Sequence, residues 1–160
     1  MKGKVIPEKI RIKNIAVVKS NIEVGKEAFE LISGINEYSF SFNQEIGFNY
    51  DQHLIRLRLN ILLQGKNDKG ELVNIKGEFG IEFVFHVDNF QDLTQEENGS
   101  YEIPSSLVTT LSSLAYSTSR GIVFQETQST VLRGILLPVI DPAILFSVKN
   151  KPPLSDNKAK

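Results

Sequence analysis

His53-Leu54-Ile55-Arg56-Leu57-Arg58-Leu59-Asn60-Ile61-Leu62-Leu63 and Val73-Asn74-Ile75-Lys76-Gly77-Glu78-Phe79-Gly80-Ile81-Glu82-Phe83-Val84-Phe85-His86-Val87 decide the fold. Ile55, Leu57, Leu59, Ile61 and Leu63 share one parity, with Arg56, Arg58 and Asn60 opposite. Val73, Ile75, Phe79, Ile81, Phe83, Phe85 and Val87 do the same in the second stretch, against Asn74, Lys76, Glu78, Glu82 and His86. Successive side chains of a strand point to opposite faces, so each stretch is a strand with one dry and one wet face. Gln64-Gly65-Lys66-Asn67-Asp68-Lys69-Gly70-Glu71 separates them and supplies turn chemistry, so the two form a hairpin. Arg56 and Arg58 are expected to face Glu78 and Glu82; such exposed cross-strand pairs contribute from a few tenths to about 1 kcal/mol.

Outward from the hairpin, Tyr38 to Tyr50 alternates Tyr38, Phe40, Phe42, Ile46, Phe48 and Tyr50 with Ser39, Ser41, Asn43, Glu45 and Asn49, a third strand. Ile10 to Val18 is a fourth. Its apolar parity switches from Ile10 and Ile12 to Ile15 and Val17, which predicts a bulge near Asn14. Ser20 to Asn36 has no clean period and reads as a long connection carrying Ile22, Val24, Phe29, Leu31, Ile32 and Ile35.

The period then lengthens. Leu107, Val108, Leu111, Leu114, Ala115 and Ile122 recur at three and four residues, which predicts a helix capped by Ser105. Its other face holds Thr109, Ser112, Ser113, Thr118 and Ser119, so its stability must come from packing. Val131 to Ile140 is an apolar connection, and Asp141-Pro142 reads as cap and first residue of a second helix through Val148. Strands first and helices last give an α+β domain: a four-stranded antiparallel sheet with two helices packed on one face. The domain is expected over 1–148, with 149–160 a flexible basic tail. The apolar residues of 20–36 and 131–140 exceed what that core needs, and spare apolar surface usually means a groove or a subunit interface.

The 160 residues are 41% hydrophobic, with a net charge of -1 and no Cys or Trp. The even charge gives no support to nucleic-acid binding. No apolar run is long enough for a membrane span, and Arg11 and Lys13 interrupt any secretory pattern, so a cytoplasmic location is expected. His53 and His86 lie in no metal-ligand spacing, and Glu96-Glu97 reads as a solvated loop. No nucleophile elbow or phosphate-binding glycine motif occurs. No catalytic residue, cofactor or metal is expected.

The order of features resembles the SecB family of bacterial export chaperones. Ile10-Arg11-Ile12-Lys13-Asn14-Ile15 looks like that family's first strand, and the hairpin like its central strands. Leu111 through Tyr116 resembles its first helix. Leu136-Leu137-Pro138-Val139-Ile140-Asp141-Pro142-Ala143-Ile144-Leu145-Phe146 is similar to the segment that opens its last helix. The resemblance implies a dimer-of-dimers homo-oligomer and a holdase that binds unfolded preproteins in apolar grooves without nucleotide. The client-binding residues would be Phe29, Leu31, Ile32, Val139, Ile144 and Phe146, side chains that serve a core or subunit interface equally well.

Departures limit what carries over. Where the family docks the SecA motor through acidic residues, this chain has Asn14, Val18 and Asn74, and its tail is basic. The fold therefore carries over better than SecA docking. Three functions stay open: a holdase for many clients, possible service in protein export included; a dedicated binding module, such as the chaperone of a toxin–antitoxin system; and an enzyme or ligand-binding domain, which would need a convergent polar pocket.

Overall fold

Four long strands, β1 (Ile10–Val24), β2 (Glu37–Asn49), β3 (Leu54–Lys66) and β4 (Leu72–Val87), form an antiparallel sheet in the order β1-β4-β3-β2. The computed structural model describes residues 3–28 and 37–147, the last two by backbone alone. The expected tail, 149–160, lies outside the described residues.

The alternation read from β3 and β4 is the core. Ile55, Leu57, Leu59, Ile61 and Leu63 are buried, as are Ile75, Phe79, Ile81, Phe83, Phe85 and Val87. Each such side chain contributes roughly 1.5–3 kcal/mol relative to exposure. Gly77 interrupts this row because Leu132 and Leu63 close over it. A Cβ there would lie 3.0 Å from Leu132 Cδ1 and 3.0 Å from Leu63 Cγ.

Strand β1 runs further than the periodicity predicts: Ser20 to Val24, expected in the connection, continue the ladder to Val24 opposite Ile75. The expected bulge lies between Ile12 and Asn14, and a second lies between Val17 and Lys19. The two shifts cancel in parity. Ile10 and Ile12, then Ile15 and Val17, then Ile22 and Val24 all stand opposite core-facing residues of β4.

After the sheet, α1 (Phe90–Leu93) leads into a small hairpin of β5 (Gln95–Glu97) and β6 (Ser100–Glu102). This corrects the expected polar loop. Asn98 and Gly99 both take positive φ, 51° and 76°, the geometry of a tight two-residue hairpin turn. Tyr101 stacks on Tyr50 with ring centroids 3.9 Å apart.

Helix α2 (Ser105–Thr127) lies across β3 and β4. Leu107, Leu111, Ala115, Tyr116 and Val123 are buried in the same core as the strands. Two details differ from expectation. Ser105 makes no capping bond; Pro104 is the cap, its carbonyl accepting from Leu107 and Val108 at 3.0 and 3.3 Å. Ser112 and Ser119, expected on the wet side, are fully buried, and neither hydroxyl has a hydrogen-bond partner among the described residues. Their small size lets the helix lie against the sheet, which is packing the Leu stripe alone did not reveal.

The last helix begins later than Asp141-Pro142 predicts. The Asp141 carboxylate accepts from the Ala143 amide at 2.9 Å and closes a turn, and α3 (Ile144–Ser147) follows. Leu145 buries its side chain in the common core, and α3 packs on β2. The two helices thus cover one face of the sheet, and the other face is open to solvent.

Candidate functional site

Residues 130–140 cross the helix-covered face beside β2, and their backbone is pinned at several points. Thr130 receives the Arg133 amide at 3.2 Å, and Leu132 receives that of Ile135 at 3.1 Å. Arg120 Nε donates to the Leu137 carbonyl at 3.0 Å, and the Tyr116 hydroxyl donates to the Pro138 carbonyl at 2.6 Å. Burial pushes the Tyr116 phenol up to about 12. Phe42 packs edge-on against the Tyr116 ring, 5.4 Å between centroids.

This pinned segment splits its apolar residues between two environments. Leu132, Ile135 and Leu137 are buried, whereas Leu136 is 62% and Val139 84% exposed. A hollow of about 430 Å³ opens between the segment and β2, lined by Tyr38, Phe40, Arg133, Gly134, Ile135 and Leu136, with Glu37 at its end. An apolar side chain held outward by a hydrogen-bonded backbone cannot collapse into the core.

Of the expected client-binding residues, Val139 and Ile144 are exposed on this side, Ile144 at 44%. Phe146 lies in α3, its side chain outside the described residues, and Phe29, Leu31 and Ile32 also lie outside them. Leu136, Tyr38 and Phe40 were missed as groove residues. The signal available for Leu136 was the unbroken apolar run 135–140, too long for all of its side chains to reach the core.

A second apolar surface lies along β1. Ile12, Ile15 and Val17 face the helix side yet are 40–43% exposed, because α2 lies over β3 and β4; further along β1 the Ser20 hydroxyl bonds Glu126 of α2 at 3.0 Å. Leu114 and Phe124 are exposed on α2.

The solvent face of the sheet carries the charges. Arg58 stands opposite Glu82 as expected, but Arg56 stands opposite Val84, and neither arginine forms an ion pair among the described residues. Glu78 stands opposite Leu62 and not opposite either arginine; Lys19 and Lys76 flank it and take its carboxylate, holding it below the usual range through their hydrogen bonds. Asn14 stands opposite Val84 on this face.

The two histidines meet at one sheet end, ring centroids 6.1 Å apart. His86 Nδ1 lies 3.0 Å from Asp88, which also pairs with Arg11, and hydrogen bonding to Arg11 holds the Asp88 carboxyl below its usual value. His53 takes φ 53° in the β2–β3 turn, and its amide donates to Tyr50. Among the described residues no group of three or more His, Cys, Asp or Glu could hold a metal ion. Nor is any helix there long and apolar enough to cross a membrane.

The antiparallel sheet in this strand order, with two helices on one face, is the SecB-like fold. Among solved structures, the SecB-like chaperone Rv1957 of Mycobacterium tuberculosis matches with a TM-score of 0.58 and 17% identity, over 83% of this chain and 91% of that one. That protein was solved in complex with a ChAD peptide from the antitoxin HigA1 (Rv1956). A protein of unknown function from Streptococcus agalactiae matches with a TM-score of 0.44 and 12% identity, over 81% of this chain and 97% of that one. No family model and no curated protein matches this chain.

Proposed function

We propose that this chain is a SecB-like chaperone module that holds extended, unfolded polypeptide without nucleotide, cofactor or catalysis, in the cytoplasm. The observation that carries the reading is Val139, 84% exposed on a segment that Tyr116 and Arg120 hold by its carbonyls. With Leu136, Ile144 and the hollow beside Tyr38 and Phe40, it offers a client several apolar contacts. Each contact is weak. A client spanning several of them is held by their sum, and binding the unfolded state delays its folding and aggregation by mass action.

The module works as a homo-oligomer in this reading, a dimer of dimers. Support comes from β1, a 15-residue edge strand with Ile12, Ile15 and Val17 exposed, which an isolated subunit would leave as an aggregation hazard. An antitoxin segment is the partner favoured by the complex in which the Mycobacterium tuberculosis neighbour was solved. Export clients are the other option, and Asn14 and Asn74, where acidic docking residues would be expected, weigh against a SecA partnership.

Light scattering of a chemically denatured model protein diluted into this protein, without ATP, tests the holding activity. Suppression of scattering at a few-fold molar excess is expected, and none would overturn the reading. Affinity capture followed by mass spectrometry separates the partners: one stoichiometric partner supports the dedicated module, many preproteins the export role.

A further inference from the structure

The sheet order β1-β4-β3-β2 leaves two edges, and they are not alike. Strand β1 is broken by register shifts at Ile12/Asn14 and at Val17/Lys19, and bulges of this kind spoil an edge as a template for a further strand. Strand β2 pairs with β3 from Glu37 opposite Lys66 to Asn49 opposite Leu54 without any shift. It contains no proline, lysine or arginine, the residues that commonly guard an edge. None of its 13 residues is buried, so the strand is open along its whole length.

The outer backbone groups of β2 are unclaimed. Among the described residues, no N–H or C=O of Glu37–Asn49 has a hydrogen bond outside the ladder with β3. Residues 130–140 run beside this edge but direct their polar groups elsewhere. The Arg133 and Ile135 amides bond within the segment, and the Leu137 and Pro138 carbonyls accept from Arg120 and Tyr116 of α2. Two held walls therefore flank the hollow of about 430 Å³ over Tyr38 and Phe40. A row of free amides and carbonyls recognises another main chain, and an extended strand fits about 4.8 Å from its neighbour.

We infer that a client adds one extended segment to the free edge of β2, and that the segments selected alternate apolar and small polar residues. This rests on the proposed holding activity and names its ligand class. Main-chain bonds to β2 supply affinity independent of client sequence, and side chains supply the choice. Successive side chains of the added strand point to opposite faces. One set enters the hollow against Tyr38, Phe40 and Leu136. The other set lies level with Ser39, Ser41 and Asn43 on the open polar face. The occupant is a single segment rather than a second copy of this chain. Residues 133–136 and α3 flank β2, and a second copy on this edge would bring its own against them.

Fluorescence anisotropy on the full chain tests this with the labelled peptide Lys-Thr-Val-Thr-Val-Thr-Val-Thr-Lys and the same residues in block order, Lys-Thr-Thr-Thr-Thr-Val-Val-Val-Lys. The alternating peptide is expected to bind about tenfold tighter. N-methylation of its valines or of its threonines removes alternate amide donors without changing a side chain. One pattern should abolish the advantage and the other should leave most of it, because only one set of amides faces β2. Hydrogen exchange over 37–49 should slow when the peptide binds, and exchange over 10–24 should not. Equal binding of the two sequences, no difference between the two methylation patterns, or protection of β1 instead would overturn the assignment. So would full protection of β2 before peptide is added, the sign of a second copy on this edge. Suppressed scattering of denatured protein alongside any of these results leaves the holding activity standing and removes only the strand addition.

Discussion

The hydroxyl of Tyr116, in the middle of α2, donates a 2.6 Å hydrogen bond to the carbonyl oxygen of Pro138. The bond holds the exposed Val139 segment against the helix, so helix packing and groove geometry are one arrangement. Its titration follows from burial. The phenol's folded value, about 12, lies above its ordinary 10.0, so its contribution is complete below pH 10 and is lost as pH rises toward 12. Tyr116→Phe should cost about 1 kcal/mol at neutral pH. Above pH 10 the native protein should lose stability more steeply than the variant, as denaturant titrations at several pH values would show.

Val139→Asp and Ile144→Asp place charges where apolar contacts with a client are proposed. Both side chains are exposed, so folding stability should change by no more than about 0.5 kcal/mol. Scattering assays should show weakened holding at an unchanged Tm. Full activity in the double variant would move the client site elsewhere.

Ile15→Lys with Val17→Lys charges the exposed helix side of β1. Sedimentation velocity should show the native assembly reduced to smaller species, with near-native circular dichroism. An unchanged sedimentation coefficient would place the subunit interface away from β1.

Gly77→Ala puts a methyl 3.0 Å from both Leu132 and Leu63, in a part of the core where neither can leave easily. Overpacking of this kind costs roughly 1–3 kcal/mol. Urea denaturation should report a lower midpoint with an unchanged slope.

Ser119→Ala removes a buried hydroxyl that has no partner among the described residues. Alanine is also the better helix former. Stability should rise by about 1 kcal/mol, since an unsatisfied buried donor costs at least that much. A drop in Tm would show that the hydroxyl is bonded in solution.

The candidate site was legible only in part. Val139 and Ile144 were identified because an apolar run long enough to exceed the core must expose some of its members. Tyr38 and Phe40 were read as the dry side of a strand, which they are; that a hollow opens over them depends on how far 133–136 stands off β2. The free arginines were read as ion-paired because strand parity places Arg58 opposite Glu82. Parity gives the face but not the register: Glu78 stands opposite Leu62 and is taken by two lysines, one from β1 and one on β4 itself.

By itself the sequence determined the sheet's two faces, the hairpin between Leu63 and Val73, the shift in β1 near Asn14 and the α+β order. Each is written in a local period of two or of three to four residues, and local stereochemistry enforces it. Only the tertiary structure decided that β1 continues to Val24 through a second bulge, that Ser112 and Ser119 are buried, and that Arg56 and Arg58 form no ion pair among the described residues. Those outcomes depend on which chain segments far apart in sequence come to lie together, and no local period encodes that. The even charge balance of the whole chain concealed the same thing: its cations and anions are matched in number, but on the open face of the sheet they are not matched in place.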